Sequence, residues 1–159
     1  MKILIVSDSH GYINNVVDYI ENNEKPDMIF HLGDYVKDGI EIYNKFNIPT
    51  KIVRGNGDYM EKEFKYEEIV QVNDKKILLS HGHKYNINFS LDRLLYRGRQ
   101  LEVDYILFGH THIAFIDKIK DIIVMNPGSS SRPRGHDKKN TIGLINIGNT
   151  REEKIIKIN

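Results

Sequence analysis

The sequence predicts an α/β protein built as a four-layer αββα sandwich, with two β-sheets packed face to face and helices outside. Three observations lead there. Short apolar runs without alternation, such as ILIV at 3–6, suit strands buried on both faces. Between such runs lie stretches with apolar residues three and four apart, for example Leu91, Leu94, Leu95 and Leu101, the spacing of a helix with one buried stripe. After Gly109 the pattern changes to alternating segments separated by turn residues, which reads as antiparallel strands. Two covered sheets are the simplest arrangement that accommodates all three.

Taken in order, buried strands are expected at 2–6, 28–32, 51–54, 76–80 and 105–108, each followed by a polar or glycine-containing segment. Helices are expected at 13–22, 36–46 and 90–102. Antiparallel strands follow at 114–119, 122–125, 141–147 and 154–158, joined by KD, by a Gly/Ser/Pro stretch and by GNTREE. There are no repeats, low-complexity tracts or linkers, and 159 residues suit one domain spanning 1–159.

Composition removes several classes of function. Lys+Arg number 23 against 22 Asp+Glu, so no bulk field favours nucleic acid or an anionic membrane, and stable binding to either is not expected. The absence of cysteine excludes disulfides, thiolate metal sites and a cysteine nucleophile, so any metal must sit among nitrogen and oxygen donors. The opening MKILIVSDSHG carries too short an apolar run for a signal peptide or a spanning helix, and the expected location is cytoplasmic. The segment INFSLDRLLYRGRQ could serve a homodimer, but its apolar positions are also what one core-facing stripe needs, which is the weightier reading.

The informative feature is what stands at the strand ends. In order they read SDSHG, HLGDY, RGNGD, LSHGH and FGHTH, offering Asp8, His10, Asp34, Asn56, Asp58, His81, His83, His110 and His112. Each has an ordinary explanation alone. Asn-Gly is a hairpin turn by default, Gly-Asp is a turn or cap, and paired loop histidines are common. Ends of parallel strands share one edge of a sheet, however, so the five would meet in one place.

Four histidines, two aspartates and an asparagine are too many ligands for one tetrahedral zinc and about right for two ions sharing a carboxylate. Imidazole with carboxylate suits Mn²⁺ first, then Ni²⁺, Fe²⁺ or Zn²⁺, rather than Ca²⁺ or Mg²⁺. Two such ions activate a water and clamp the oxygens of an in-line displacement at phosphorus, which predicts phosphoester hydrolysis.

The ordered series Asp-x-His, Gly-Asp, Gly-Asn, His, Gly-His-x-His, from Asp8 to His112, resembles the calcineurin-like metallophosphoesterases. HGH at 81–83, NPGSSSRPR at 126–134 and the short length resemble its small bacterial and archaeal phosphodiesterase branch, which also contains the retromer scaffold subunit. The resemblance implies a pair of mixed sheets flanked by helices. It places Asp8, His10, Asp34 and His112 on one metal and Asp34, Asn56, His81 and His110 on the other. Asp34 would bridge, and a hydroxide between the ions would attack phosphorus. A small phosphodiester or nucleotide-like substrate is implied, with phosphomonoesterase or nucleotide pyrophosphatase activity, or a protein-binding scaffold, as alternatives.

Gly57 departs from the pattern, because many relatives carry there a histidine that protonates the leaving group. Lys37 stands where the family's protein phosphatases have the aspartate that pairs with that histidine. Aryl diesters should then be cleaved faster than alkyl ones, with Gly57→His raising activity on poorer leaving groups. His83 is the nearby imidazole able to substitute, although a structural or solvent-facing role weighs more. With Asn56, His83 and Arg134 are the candidates for substrate contact, Arg132 sharing the last role. Asn126 is expected to buttress the ligands, and Asp58 to accept from a ligand imidazole or to cap its turn. His31 is expected in the core and His136 in solvent.

Overall fold

The computed structural model describes residues 1–148 and 152–159. The first sheet contains β1 (Lys2–Val6), β2 (Met28–His31), β3 (Thr50–Ile52), β9 (Asn140–Asn146) and β10 (Glu152–Ile158), in the order β10-β9-β1-β2-β3. The second contains β4 (Glu67–Val72), β5 (Lys75–Ser80), β6 (Tyr105–Leu107), β7 (Ala114–Ile119) and β8 (Ile122–Pro127), in the order β4-β5-β6-β8-β7. The helices are α1 (Asn14–Asn22), α2 (Val36–Phe46) and α3 (Asp92–Gln100). Both sheets are mixed. β1, β2 and β3 run parallel, as do β5, β6 and β8, while β9, β10, β4 and β7 pair antiparallel with their neighbours.

The two-fold alternation of a strand explains the layers. Ile3 and Ile5 face Phe30, Val70, Ile77, Leu79, Leu107 and Met125 in the core between the sheets. Leu4 and Val6 face the other way, against Val16, Val17 and Ile20 of α1 and Ile42 of α2. On the far side, Leu94 and Leu95 of α3 cover Leu78, Ile106 and Val124. Each such aliphatic side chain contributes about 1.5–3 kcal/mol when buried. The predicted sandwich is therefore observed, and the apolar residues of α3 are core residues, leaving Phe89 and Tyr96 exposed beside them.

Several expectations differ in detail. β4 was not foreseen, because EEIVQV is a charged edge strand that buries only Val70 and Val72. Several other boundaries move by one or two residues, as at β3, which spans Thr50–Ile52, and α3, which spans Asp92–Gln100. The hairpin reading of Asn56-Gly57 fails. β3 and β4 lie in different sheets, and neither residue has the positive φ of a type I′ turn. The GNTREE connection lies partly outside the described residues. Among the described residues, no helix is long and apolar enough to cross a membrane.

Candidate metal centre

The segments SDSHG, HLGDY, RGNGD, LSHGH and FGHTH follow β1, β2, β3, β5 and β6. They come from both sheets, so the expected single edge is replaced by a cleft where two sets of strand ends face each other. Close approach across that cleft requires glycine. A Cβ at Gly33, whose φ is +96°, would lie 2.5 Å from the Gly55 nitrogen, and one at Gly109 would fall on the Ser7 hydroxyl and 2.9 Å from Asp8 Oδ2.

The backbone is strained at several of the candidate ligands. Asp8, His10, Asp34, His110 and His112 all have left-handed φ, between 44° and 69°. Such conformations cost on the order of 1 kcal/mol each and persist only where surrounding contacts impose them, typically at functional sites. The His-x-His segments are accordingly not extended: 110 and 112 lie in a left-handed turn, and His83 begins a short 3-10 turn, His83–Tyr85.

The contacts that impose this geometry are visible. The Asp8 carbonyl accepts from Ser129 Oγ at 2.7 Å, and its N–H donates to the Gly33 carbonyl at 3.0 Å. Gly11 N–H, after His10, donates to buried Asp38 at 2.8 Å. Asp58 accepts from the backbone N–H groups of Asp34, Val36 and Gly55 at 2.8–2.9 Å. Asp58 therefore neither accepts from a ligand imidazole nor merely caps its own turn; it ties the Asp34 loop to the Asn56 loop. Asn126 donates to the Gly109 carbonyl at 2.8 Å and Thr111 Oγ1 at 3.0 Å, the buttress expected of it.

Two compact donor groups result: Asp8, His10 and His112, and Asp8, Asp34 and His81, each with ligand atoms within 4.8 Å of one another. His112 Nε2 lies 3.2 Å from both Asp8 Oδ1 and His10 Nε2. His81 Nε2 lies 3.2 Å from Asn56 Oδ1, 3.6 Å from Asp34 Oδ1 and 3.9 Å from Asp8 Oδ1. Asp34 Oδ2 is 4.0 Å from His10 Nε2, so its two oxygens face different groups.

The tautomers show what belongs between these atoms. His112 Nδ1 lies 2.6 Å from the Arg132 carbonyl and His81 Nδ1 lies 2.8 Å from the Leu32 carbonyl. A carbonyl only accepts, so each Nδ1 carries the proton and each Nε2 presents a lone pair. Those lone pairs meet carboxylate and amide oxygens. Buried Asp8 Oδ1 has no well-formed hydrogen bond of its own. Donor atoms that face one another without a proton fit a cation, and separations near 3.2 Å match the edges of a polyhedron around an ion with bonds of about 2.1 Å. The residues present fit divalent metal.

Electrostatics agree at His110, His10 and His83, and run the other way at His112. Burial and then the neighbouring His81 lower the proton affinity of His110; burial lowers that of His10 against the pull of Asp34 and Asp8. Burial, with His81 and His110, pushes His83 down to about 4. Burial alone would weaken His112 as a base, but Asp8 overcomes it and raises its pKa; the same pairing holds Asp8 below the usual carboxylate range against its own burial.

Not every predicted residue joins the two groups. His110 stands beside them, its ring centre 5.2 Å from that of His81 and its Nε2 3.1 Å from Asn88 Nδ2, a partner with no motif to reveal it. His83, half-buried, lies between His81 and Tyr66, each 5.4 Å away between ring centres. Arg132 and Arg134 are exposed; Arg132 lies over Tyr12, 6.0 Å from its ring centre, while Arg134 N–H donates to the His112 carbonyl at 3.0 Å. Exposed Lys37 faces Glu61 at 3.6 Å. His31 is fully buried, its pKa lowered by burial, and lies 2.9 Å from Ser9 Oγ; His136 is exposed.

Residues 1–150 match the calcineurin-like phosphoesterase superfamily domain. A probable metallophosphoesterase of Bacillus subtilis is 35% identical over 135 residues, covering 84% of this chain and 78% of that protein. A phosphodiesterase of Methanocaldococcus jannaschii is 30% identical over 146 residues, covering 80% and 83%. Among solved structures, a predicted phosphoesterase of Streptococcus pneumoniae superposes with TM-score 0.84 at 26% identity, covering 98% of this chain and 88% of that one. Vps29 of Entamoeba histolytica, solved with zinc, shares the fold at TM-score 0.78 and 20% identity over 99% of each chain. The chain belongs to the calcineurin-like phosphoesterase superfamily, whose members bind divalent metals.

Proposed function

We propose that the protein is a phosphodiesterase that works with two divalent transition-metal ions, Mn²⁺ first among them, on a small phosphodiester or nucleotide-like substrate. The observation that carries this reading is Asp34, whose Oδ2 lies 4.0 Å from His10 Nε2 and whose Oδ1 lies 3.6 Å from His81 Nε2, one imidazole from each of two donor groups that also share Asp8. Asp8, His10, Asp34 and His112 would hold one ion, and Asp34, Asn56, His81 and His110 the other. When bound, such a pair supplies a nucleophilic water of lowered pKa and neutralises charge that builds at phosphorus.

The chain's own residues orient the site. The Arg132 and Leu32 carbonyls fix the tautomers of His112 and His81, so both rings present Nε2. Gly57 N–H holds Asp34 Oδ1 at 2.7 Å and offers no proton to a leaving group. His83, Asn56 and the guanidinium of Arg134 are the groups proposed to meet substrate. A scaffold role would leave the strained, buttressed ligand backbone without a purpose.

The test is hydrolysis of bis-p-nitrophenyl phosphate beside p-nitrophenyl phosphate after metal stripping and addition of Mn²⁺, Ni²⁺, Zn²⁺ or Mg²⁺. Metal-dependent turnover favouring the diester, and lost in Asp34→Asn, is expected. Preference for the monoester would replace the reading by a phosphomonoesterase, and no turnover with any metal would remove it.

A further inference from the structure

Beside the His81 end of the cleft, one aromatic ring carries two cations. The Arg54 guanidinium carbon lies 3.8 Å from the centre of the Tyr66 ring, and Lys84 Nζ lies 4.2 Å from it. Like charges brought to one ring repel each other, and each is ordinarily accompanied by a carboxylate. Here neither is: among the described residues Arg54 and Lys84 form no ion pair, and Glu61 offers Arg54 only its carbonyl at 3.4 Å while its carboxylate faces Lys37. Arg54 Nε is buried with no hydrogen-bond partner.

The position of this pair gives it a use. Arg54 stands two residues before Asn56, and Lys84 three residues after His81, so each cation rides on the same connection as a proposed ligand. The Tyr66 ring meets the His83 ring edge-on at 5.4 Å, and His83 in turn lies 5.4 Å from His81. Tyr66 thus stands about one imidazole beyond the donor groups. Arg132 and Tyr12 lie by His10 instead, at the other donor group.

We infer that Arg54, Lys84 and the Tyr66 ring form an anionic subsite that receives a second phosphoryl group of the substrate, one not undergoing attack. Guanidinium and ammonium together match a phosphoryl group, the first by its fork of donors and the second as a point charge. The ring positions both stems and leaves their donors for the ligand. The substrate class is therefore narrowed, on the reading that this is a phosphodiesterase, to diesters or anhydrides bearing additional phosphate. A simple monoanionic diester would fill the metal centre and leave this subsite unused.

Binding of inorganic tripolyphosphate to the metal-free protein, followed by calorimetry at low salt, tests the subsite without turnover. Saturable binding is expected, weakened at least about fivefold in Lys84→Gln and restored in Lys84→Arg. Lys84 is exposed, so the substitution leaves the fold intact, which a thermal melt would verify. No binding, or equal binding by the wild type and Lys84→Gln, overturns the subsite. Metal-supported hydrolysis of bis-p-nitrophenyl phosphate, measured on the same preparation, reports on the phosphodiesterase reading; its absence would remove that reading while the titration still decides the subsite.

Discussion

Asn126, on β8, donates its side-chain amide to the Gly109 carbonyl at 2.8 Å and to Thr111 Oγ1 at 3.0 Å, and its own oxygen accepts from Gly128 N–H at 2.9 Å. One buried amide thereby fixes the left-handed turn that carries His110 and His112. Asn126→Asp keeps the shape and loses the donor. Groups that orient a ligand are worth about 10–100-fold in metal affinity, and an unpaired buried acceptor costs about 1–3 kcal/mol. The variant should bind Mn²⁺ at least about tenfold more weakly in a calorimetric titration and melt a few degrees lower. Wild-type affinity would show that the turn holds itself.

Asp58 ties the Asp34 loop to the Asn56 loop through three backbone N–H groups and is buried. Asp58→Ala strands those donors together. The loss should reach roughly 3 kcal/mol or more, since each unsatisfied buried group costs about 1–3 kcal/mol. Chemical denaturation should show the midpoint falling with an unchanged slope. Stability within about 0.5 kcal/mol of wild type would mean that water replaces the carboxylate.

Gly57 bears on the leaving group. With no acid at this position, aryl diesters should be cleaved at least about a hundredfold faster than alkyl diesters, the range a general acid commands. A rate series that is flat across leaving-group pKa would contradict this. The structure also revises the effect of Gly57→His. A Cβ there would lie 3.1 Å from Asp34 Oδ1, the oxygen held by the Gly57 N–H, so the carboxylate must yield before an imidazole can act. Gly57→His should lower turnover of bis-p-nitrophenyl phosphate rather than extend the substrate range.

Away from the centre, Glu67 on β4 accepts from Tyr85 and from Arg97 Nε and Nη2, at 3.2 and 2.5 Å for the arginine. Burial alone would raise the Glu67 pKa, but Arg97 and Tyr85 together hold it below the usual range. Tyr85 is pushed up to about 12 by burial and by Glu67. A carboxyl whose folded pKa is depressed adds stability above its unfolded pKa, near 4.5, and loses it as pH falls through the lower folded value. The stability gap between wild type and Glu67→Gln should therefore be constant near neutrality and close below about pH 4.5. A gap independent of pH would assign the network no charge-dependent role.

The strand ends and layers were legible because they rest on local patterns: apolar runs for the core strands, periodic leucines for α3, and a ligand type beside a glycine at each end. The charged edge strand β4 was not, since only Val70 and Val72 mark its buried face. Nor was the cleft's construction from two sheets, which depends on the chain leaving the first sheet after β3 and returning at β9. The contacts to Arg132 and Leu32 that set the imidazole tautomers are made by main-chain carbonyls, which any residue supplies. Asn88 against His110, and Arg54 with Lys84 on Tyr66, join positions 12 or more residues apart that carry no common motif.

A two-ion centre organised by Asp34 is tested by titrating metal-stripped protein with Mn²⁺ while hydrolysis of bis-p-nitrophenyl phosphate is followed. Activity should rise until two equivalents per chain are bound and then level, with Asp34→Asn inactive throughout. Full activity at one equivalent, or turnover indifferent to metal, would contradict it.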